Sequence, residues 1–160
     1  MELSVILATT TDDIIGIGTE CVHSAIDKEH FKIVTQYTNT CGSNLLIIGR
    51  KTWETIPISM IKCPHRKYLV ITKQPNYKKL YNETIVNSFN DALQYCTINK
   101  NNFYKIFVVG GAEIYKMATD TGFVTEIFLT KFSIEVEKEI PLTKNIVKYQ
   151  PPIKGFCKKF

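Results

Sequence analysis

The sequence predicts a single α/β domain whose central sheet is mixed but mostly parallel and is flanked by helices. Short apolar runs of strand length alternate along the chain with helical stretches, which is the order typical of parallel strands joined by crossover helices. The chain has 160 residues, the size of one domain, and its 44% hydrophobic and 22% charged residues are ordinary for a globular protein. The sequence has no internal repeat or low-complexity linker, so we expect one domain over residues 1–160.

The predicted strands are apolar runs, and several are unbroken, as in strands that are buried on both faces. These runs cover residues 3–9, 45–48, 68–72, 84–87, 105–109 and 124–136. The predicted helices cover residues 25–37, 51–56, 88–96 and 112–117, and residues 10–24 and 57–66 are expected to be loops. Pro57 ends the second helix, and Ser88 with Asp91 three residues later forms a capping signal for the third.

Composition excludes several classes of protein. No apolar run approaches the roughly 18 residues of a membrane-spanning helix, and the N-terminus has no basic segment typical of a secretory signal. Five cysteines without a CxxC pair are expected to be free thiols. The three histidines share no metal-ligand spacing, and there is no nucleophile elbow. A net charge of +5 without basic and aromatic residues interleaved indicates no nucleic-acid partner. We therefore expect a soluble, cytoplasmic protein with no membrane partner and no metal.

Two strand ends carry glycine-containing corners. The segment VVGGAEIYK (residues 108–116) runs from a buried strand through Gly110 and Gly111 into a helix, so backbone amides there can approach a ligand closely. A tight strand-to-helix turn explains the same glycines equally well. The segment IIGRKTWETIP (47–57) places Arg50, Lys51 and Thr52 at a helix start, where the dipole disfavours cations. Such a helix start indicates a phosphate site, unless both cations point into water.

Asp27 has two interpretations that the residues leave open. It is the third residue of the predicted 25–37 helix, where an acidic side chain is favourable without any further role. Alternatively, it is a lone carboxylate at the mouth of a pocket, with Phe31 one turn later on the same helix face. A carboxylate in that setting can bind a donor-rich heterocycle through two parallel hydrogen bonds.

Taken in chain order, these segments resemble dihydrofolate reductase. The resemblance covers residues 3–130, and its matching parts are LSVILA, Ile15-Gly16, Asp27 with His30-Phe31-Lys32, IIGRKTWETI, RKYLVIT, VVGGAEIYK and IFLT. It implies an eight-stranded, mostly parallel sheet and hydride transfer from NADPH to dihydrofolate, giving tetrahydrofolate. Because the nicotinamide supplies that chemistry, a protein of this family needs neither a nucleophile nor a metal.

The resemblance also implies roles for individual residues. Asp27 binds the pteridine and favours its protonation, Thr130 orients Asp27 through a hydrogen bond, and Tyr115 lies near the nicotinamide. The pocket that holds the pteridine and aminobenzoyl groups is lined by Ile6, Ala8, Phe31, Ile56 and Val109, and Arg66 pairs with the glutamate carboxylate of the substrate. The implied cofactor-binding residues are Ala8, Ile15, Gly16, Gly49, Arg50, Lys51, Thr52, Thr72, Lys73, Gly110, Gly111, Ala112, Glu113 and Ile114. In this family a cis peptide bond joins the two glycines at positions 110 and 111.

Several residues depart from the family pattern. Cys21-Val22 stands where the family has Pro-Trp, and Lys28 follows the carboxylate where an apolar residue is usual, so it either pairs with Asp27 or points to solvent. Residues 57–65 lack the usual glycine turn, and Glu113 stands where a cationic or neutral residue is common. The final strand of the family is expected to be incomplete, which would leave the 124–136 strand with an open edge. That edge predicts either a homodimer or a tail that folds back over it.

These departures keep two alternatives open beside a dihydrofolate reductase of full or reduced activity. One is a non-catalytic relative that keeps the fold for ligand or protein binding. The other is a pteridine or pyrimidine reductase with the same fold, in which the carboxylate contact of Arg66 is lost. Fold alone does not decide between them.

Overall fold

The computed structural model describes residues 1–17, 20–21, 25–39, 42–132, 146–150 and 157–158. The strands are β1 (Leu3–Thr10), β2 (Ile14–Ile17), β3 (Glu20–Cys21), β4 (Ser43–Gly49), β5 (Arg66–Ile71), β6 (Thr84–Val86), β7 (Phe103–Val108), β8 (Val124–Phe132), β9 (Ile146–Lys148) and β10 (Cys157–Lys158). The α-helices are α1 (Ala25–Gln36), α2 (Arg50–Trp53), α3 (Ile58–Ile61), α4 (Phe89–Asn99) and α5 (Ala112–Asp120). None of the helices in the described ranges is long and apolar enough to cross a membrane.

The strands form two sheets. The larger one has seven strands in the order β10-β8-β1-β7-β4-β5-β6, and each neighbouring pair in it is parallel. The smaller one has the order β3-β2-β9 with antiparallel pairing. The predicted α/β fold with a mostly parallel central sheet and flanking helices is therefore confirmed. The resemblance implies one sheet of eight strands. Over the described residues, the structure instead has a sheet of seven strands and a separate sheet of three.

Two predicted loops contain short elements. Residues 10–24 include β2 and β3, and residues 57–66 include the single-turn helix α3. Each element is too short for a periodic pattern, and β2 is held by pairing with β9, more than a hundred residues away.

The capping signal before α4 is confirmed, because the backbone N–H of Asp91 donates to Ser88 Oγ at 3.0 Å. Residues 133–136 of the last predicted strand lie outside the described residues.

The outer edge of β8 carries the two-residue strand β10. Cys157 and Lys158 pair with Ile127 and Phe128 of β8 in parallel register. The structure therefore agrees, at these two positions, with the tail that folds back over this edge. The alternative, a homodimer through the same edge, stays a prediction.

Side chains of the large sheet pack into two cores, one on each face, because successive strand residues point to opposite sides. One core joins β1 residues such as Val5 and Leu7 to α4 and α5, and contains the buried thiol of Cys96. Burial raises the pKa of that thiol to about 12. The other core contains Ile6, Phe107 and Trp53, and Phe31 of α1 packs against it. We call these the α5 face and the α1 face of the sheet.

Candidate active site

The chain reverses its direction of travel across the sheet between β4 and β7. After β4 the chain continues to β5 on one side, whereas after β7 it continues to β8 on the other side of the sheet. Because the strands are parallel, these two strand ends meet at the same edge. Open α/β sheets bind their ligands outside the carboxyl ends of the strands, at such a switch point. This topology marks the β4 and β7 ends as the place to look for a site.

The two glycine corners meet at this point. The backbone N–H of Gly49, the last residue of β4, donates to the carbonyl oxygen of Gly110 at 2.8 Å. The peptide bond between Gly110 and Gly111 is cis, as the resemblance implies. Gly110 has φ 119°, and a Cβ placed on it would lie 3.1 Å from the hydroxyl of Tyr115. A Cβ on Gly111 would lie 3.4 Å from Thr52 Oγ1, so the corner also touches the start of α2.

Tyr115 fixes the β7 corner to the neighbouring strand β1. Its side chain is buried, and its hydroxyl donates to the backbone carbonyl of Ile6 at 2.9 Å. On another side its ring packs against the ring of Tyr149, with centroids 5.3 Å apart. The sequence offered no signal for Tyr149, which follows the short strand β9. Tyr115 therefore lies beside the glycine corner, and its implied place near the nicotinamide stays a prediction.

The β4 corner is cationic but partly neutralised. Nη1 of Arg50 donates to both carboxylate oxygens of Glu54, at 3.0 and 3.1 Å, on the exposed side of α2. Lys51 is exposed, and Thr52 is half-buried against the glycine corner. Trp53 anchors this segment, since its buried indole N–H donates to Glu83 at 3.3 Å. The Glu54 contact is a feature of this corner that the motif alone did not reveal.

The end of β5 lies beside this corner, because Ile71 pairs with Gly49 in the ladder. Of the two residues predicted to reach the adenosine 2′-phosphate, Thr72 is buried and Lys73 is exposed. The hydroxyl of Thr72 accepts the backbone N–H of Gln74 at 3.2 Å. The structure thus brings the predicted phosphate-binding residues of β4 and β5 to one side of the switch point.

Most predicted pocket residues fall on the two faces in separate groups. Ile6 and Val109 belong to the α1-face core, and Phe31 and Ile56 pack against it, so four predicted substrate contacts lie together. The predicted cofactor contacts Ile15, Ile114 and Ala112 lie instead on the α5 face, together with Tyr115. The remaining predicted positions are Ala8, half-buried in β1, Gly16, buried in β2, and Glu113, exposed in the first turn of α5.

Position 27 is the third residue of α1, as predicted. The side chain of Asp27 lies outside the described residues, so its predicted contact with Thr130 stays a prediction. Thr130 itself is half-buried in β8 and pairs in register with Ala8. Lys28 is exposed, which agrees with the solvent alternative for this residue.

Arg66 is a buried cation at the opposite, amino edge of the sheet. Its side chain is 4% exposed, and it pairs in register with Asn44 at the start of β4. Its three described hydrogen bonds all go to neutral oxygens: Nε donates to Thr35 Oγ1 at 2.8 Å, Nη1 to the Met60 carbonyl at 3.2 Å and Nη2 to the Lys32 carbonyl at 2.9 Å. Over the described ranges no carboxylate lies within ion-pair distance of its guanidinium.

A buried guanidinium without an acidic neighbour is an unusual arrangement, since a buried charge is normally paired. Two of its five N–H groups have no acceptor among the three described bonds, enough for a bidentate anion. Nearby, the Tyr68 hydroxyl donates to the same Met60 carbonyl at 3.2 Å. Burial raises the pKa of Tyr68 to about 12, although the neighbouring charge of Arg66 acts to lower it.

The fold and the corner at the switch point define an α/β protein with a candidate ligand site at the carboxyl ends of its strands. The dihydrofolate reductase family model matches residues 2–146. Because the match covers most of the chain, this protein belongs to the dihydrofolate reductase family.

Individual relatives agree with this assignment. The chain is 28% identical to the bifunctional dihydrofolate reductase-thymidylate synthase of Acanthamoeba polyphaga mimivirus over 155 residues, 92% of this chain and 26% of that protein. It is 33% identical over 141 residues to the bifunctional protein of Daucus carota, 81% of this chain and 26% of that protein. It is also 33% identical over 141 residues to the dihydrofolate reductase type 1 of Escherichia coli, 88% of this chain and 80% of that protein. The chain therefore spans about a quarter of the length of these bifunctional relatives.

Proposed function

We propose that this chain transfers a hydride from NADPH to 7,8-dihydrofolate, giving tetrahydrofolate. Family membership supports the reaction class. One observation in the fold carries the proposal further: the α1 face of the sheet connects the glycine corner at the switch point with the buried Arg66. From Gly49 to Asn44, the register partner of Arg66, the ladder spans about 16 Å at ~3.3 Å per residue. That span suits an elongated substrate with a heterocycle at one end and a carboxylate at the other.

The residues around the switch point fit an anionic dinucleotide. Arg50 and Lys51 provide positive charge and Thr52 a hydroxyl, so we propose that they hold cofactor phosphates, with Thr72 and Lys73 nearest the 2′-phosphate. The glycine corner lacks side chains, which permits close approach of a planar ring to the backbone. Bound NADPH supplies the hydride, and the protein's part is to position the two reactants.

We propose that Asp27 binds the pterin ring. A carboxylate can accept two parallel hydrogen bonds from the amino-substituted ring and stabilise the protonated form of the reacting imine. Thr130, on β8, would orient that carboxylate by a hydrogen bond. The helix supports this assignment, because position 27 lies one turn before Phe31, whose side chain packs on the α1 face.

At the other end, we propose that Arg66 binds a carboxylate of the glutamate group. Its burial and its neutral acceptors leave its positive charge without an acidic partner over the described ranges. Between the two ends, the apolar side chains of Ile6, Phe31, Ile56 and Val109 would contact the ring systems of the substrate. These contacts favour a folate over a pterin without a tail, which separates this proposal from a pteridine or pyrimidine reductase.

A spectrophotometric assay tests the proposal. Purified protein should oxidise NADPH only when dihydrofolate is added, and a 2,4-diaminopyrimidine antifolate should inhibit the reaction. Binding of NADPH and dihydrofolate without oxidation, even at high protein concentration, would instead support the non-catalytic relative. Light scattering on the same sample tests the homodimer, which a compact monomer would rule out.

A further inference from the structure

Helix α1 presents a row of residues at positions 27, 31 and 35, which lie on one helix face because they are four residues apart. The first two have roles in the proposed function, whereas the third, Thr35, does not. Thr35 is nevertheless fully buried, at 0% exposure, in the second half of α1. Its hydroxyl is the only side-chain acceptor among the three described hydrogen bonds of Arg66; the other two acceptors are backbone carbonyls.

The hydrogen bonds of Thr35 fix the direction of its hydroxyl. Thr35 Oγ1 donates its single proton to the carbonyl of Phe31, one turn earlier, at 2.7 Å. With its proton used, the oxygen can only accept from Arg66, and it receives Nε–H at 2.8 Å. The backbone carbonyl of Thr35 is held as well, since it accepts a bond from the side-chain amide of Asn44 at 2.7 Å. The acceptor for Nε–H is therefore fixed in position and in orientation.

The bond to Nε is one of three described contacts that together set the plane of the guanidinium, whose five N–H groups form a rigid planar fork. Nη1 donates one N–H to the Met60 carbonyl, and Nη2 donates one N–H to the Lys32 carbonyl. Among the described bonds, one N–H remains on each terminal nitrogen, which is the number that bidentate binding of a carboxylate requires. Without the Nε contact, only the two carbonyl bonds would hold the fork, and we expect its alignment to loosen.

We propose that Thr35 is a positioning residue for carboxylate recognition: it holds the guanidinium of Arg66 in the plane that selects substrates with a carboxylate tail. This inference rests on the proposed function, because it assigns Arg66 to the substrate carboxylate. Thr35 does not touch the substrate itself. It acts through Arg66, and it determines which ligands bind rather than how fast the bound ligand reacts.

The substitution Thr35→Val tests this role, because it replaces the hydroxyl with a methyl group of similar size. We expect affinity for folate, which carries the carboxylates, to fall about ten-fold, since bonds to a charged group are involved. Affinity for a 2,4-diaminopyrimidine antifolate without a carboxylate should change less than about two-fold. In steady-state assays, KM for dihydrofolate should rise about ten-fold while KM for NADPH stays the same. Thr35→Ser keeps the hydroxyl and should restore tight folate binding.

A matched control separates this effect from loss of a helix contact. Thr97 of α4 makes the same kind of bond, its hydroxyl donating to the Leu93 carbonyl at 2.9 Å, without any arginine contact in the described bonds. Thr97→Val should therefore leave both ligand affinities unchanged. If Thr35→Val does not fold, Thr35→Ala carries the test, because its smaller side chain leaves room beside Nε–H.

The outcomes are distinguishable. Equal loss of affinity for folate and for the diaminopyrimidine would show a merely structural role and overturn the inference. Unchanged folate affinity in Thr35→Val and Thr35→Ala would also overturn it, with the proposed function intact. Failure of the wild-type chain to bind either ligand would overturn the proposed function, and this inference with it.

Discussion

The chain has only two arginines, and their surroundings differ in almost every respect. Arg50 follows β4 at the carboxyl edge of the sheet, is partly exposed and makes an ion pair with Glu54 four residues away. Arg66 begins β5 at the amino edge, is 4% exposed and bonds only to neutral oxygens among its described contacts. An exposed ion pair within one helix contributes little and rearranges at little cost. A buried guanidinium without an acid is costly to the fold unless an anion reaches it.

Of the two arginines, Arg66 has the surroundings that say more about function. Arg50 could bind a phosphate or remain with Glu54, so its environment alone is ambiguous. Arg66 is held in one orientation by two helices, α1 and α3, and by Thr35 in particular. We expect substitutions at Arg66 to change ligand affinity strongly and specifically, and those at Arg50 to act weakly.

The largest effect is expected at Asp27, and it serves as a reference for the two arginines. A substitution of this carboxylate should lower kcat, whereas substitutions of the arginines should change ligand affinity. We expect Asp27→Asn to reduce kcat for dihydrofolate reduction at neutral pH by about 100-fold or more, the usual contribution of a group that assists proton transfer. The amide cannot stabilise the protonated pterin, whereas NADPH affinity should remain nearly unchanged. Steady-state kinetics and cofactor titration measure both quantities.

Asp91 offers a matched control for Asp27. It is also the third residue of its helix, α4, and its backbone N–H donates to the hydroxyl of the N-cap residue Ser88. Asp91→Asn should lower stability slightly and leave kcat unchanged. Equal, small effects of the two substitutions on stability, with kcat intact in both, would mean that Asp27 serves only the helix start.

The next largest effect is expected at Arg66. Arg66→Lys keeps the charge but loses the fork, so it cannot bind a carboxylate in bidentate fashion while satisfying Thr35, Lys32 and Met60. KM for dihydrofolate should rise about 30-fold, the equivalent of ~2 kcal/mol, while kcat at saturation and KM for NADPH change little. A parallel rise in the KM for NADPH would break the proposed division between the two arginines.

A smaller effect is expected at Tyr68, which shares the Met60 carbonyl with Arg66. Tyr68→Phe should lower the free energy of unfolding by about 1 kcal/mol near neutral pH, the value of one hydrogen bond. KM for dihydrofolate should not change, because the three contacts of Arg66 remain. A rise in KM as large as that of Arg66→Lys would show that the shared carbonyl, not the fork, controls recognition.

Alkaline pH gives the same substitution a second readout. The folded-state pKa of Tyr68, about 12, lies above its ordinary value of 10.0, so the unfolded chain releases this proton first. The stabilisation is complete below pH 10 and is lost as the pH rises toward 12, at up to ~1.4 kcal/mol per pH unit for one proton. Denaturation of Tyr68→Phe should show a shallower decline over this range than wild type. Tyr37→Phe, at an exposed ring, is the control and should decline like wild type.

The sequence predicted the parts of this molecule that depend on local pattern. The unbroken apolar runs of β4 and β7 and the glycines after them identified the two corners, because buried parallel strands and positive-φ positions restrict residue choice. Single-turn α3 and the short β2 were missed, since four residues carry no periodicity and β2 depends on distant β9.

Burial and partners could not be read from the sequence in the same way. Nothing near Arg66 in the chain indicates that Thr35, 31 positions earlier, accepts the N–H of its Nε. Nor does the GRKTWE motif reveal that Glu54 forms an ion pair with Arg50, although their spacing of four residues permits it. Both contacts required the fold, and they reverse the importance that motif reading alone would give to the two arginines.

The smallest effect is expected at Arg50, and it tests the weak side of the comparison. Arg50→Lys retains a cation at a partly exposed position, so KM for NADPH should rise only about three-fold, and KM for dihydrofolate should stay constant. Glu54→Gln frees the arginine from its ion pair and should lower KM for NADPH slightly, an effect that salt would screen. Arg50→Lys could instead raise KM for NADPH as strongly as Arg66→Lys raises KM for dihydrofolate. Side-chain exposure would then fail to predict how much each arginine contributes to ligand affinity. In that case the guanidinium of Arg50 would have to leave Glu54 and bind the cofactor with both arms of its fork. The ammonium group of a lysine can replace an arginine that contributes only its charge, but it cannot replace one that binds through two parallel hydrogen bonds.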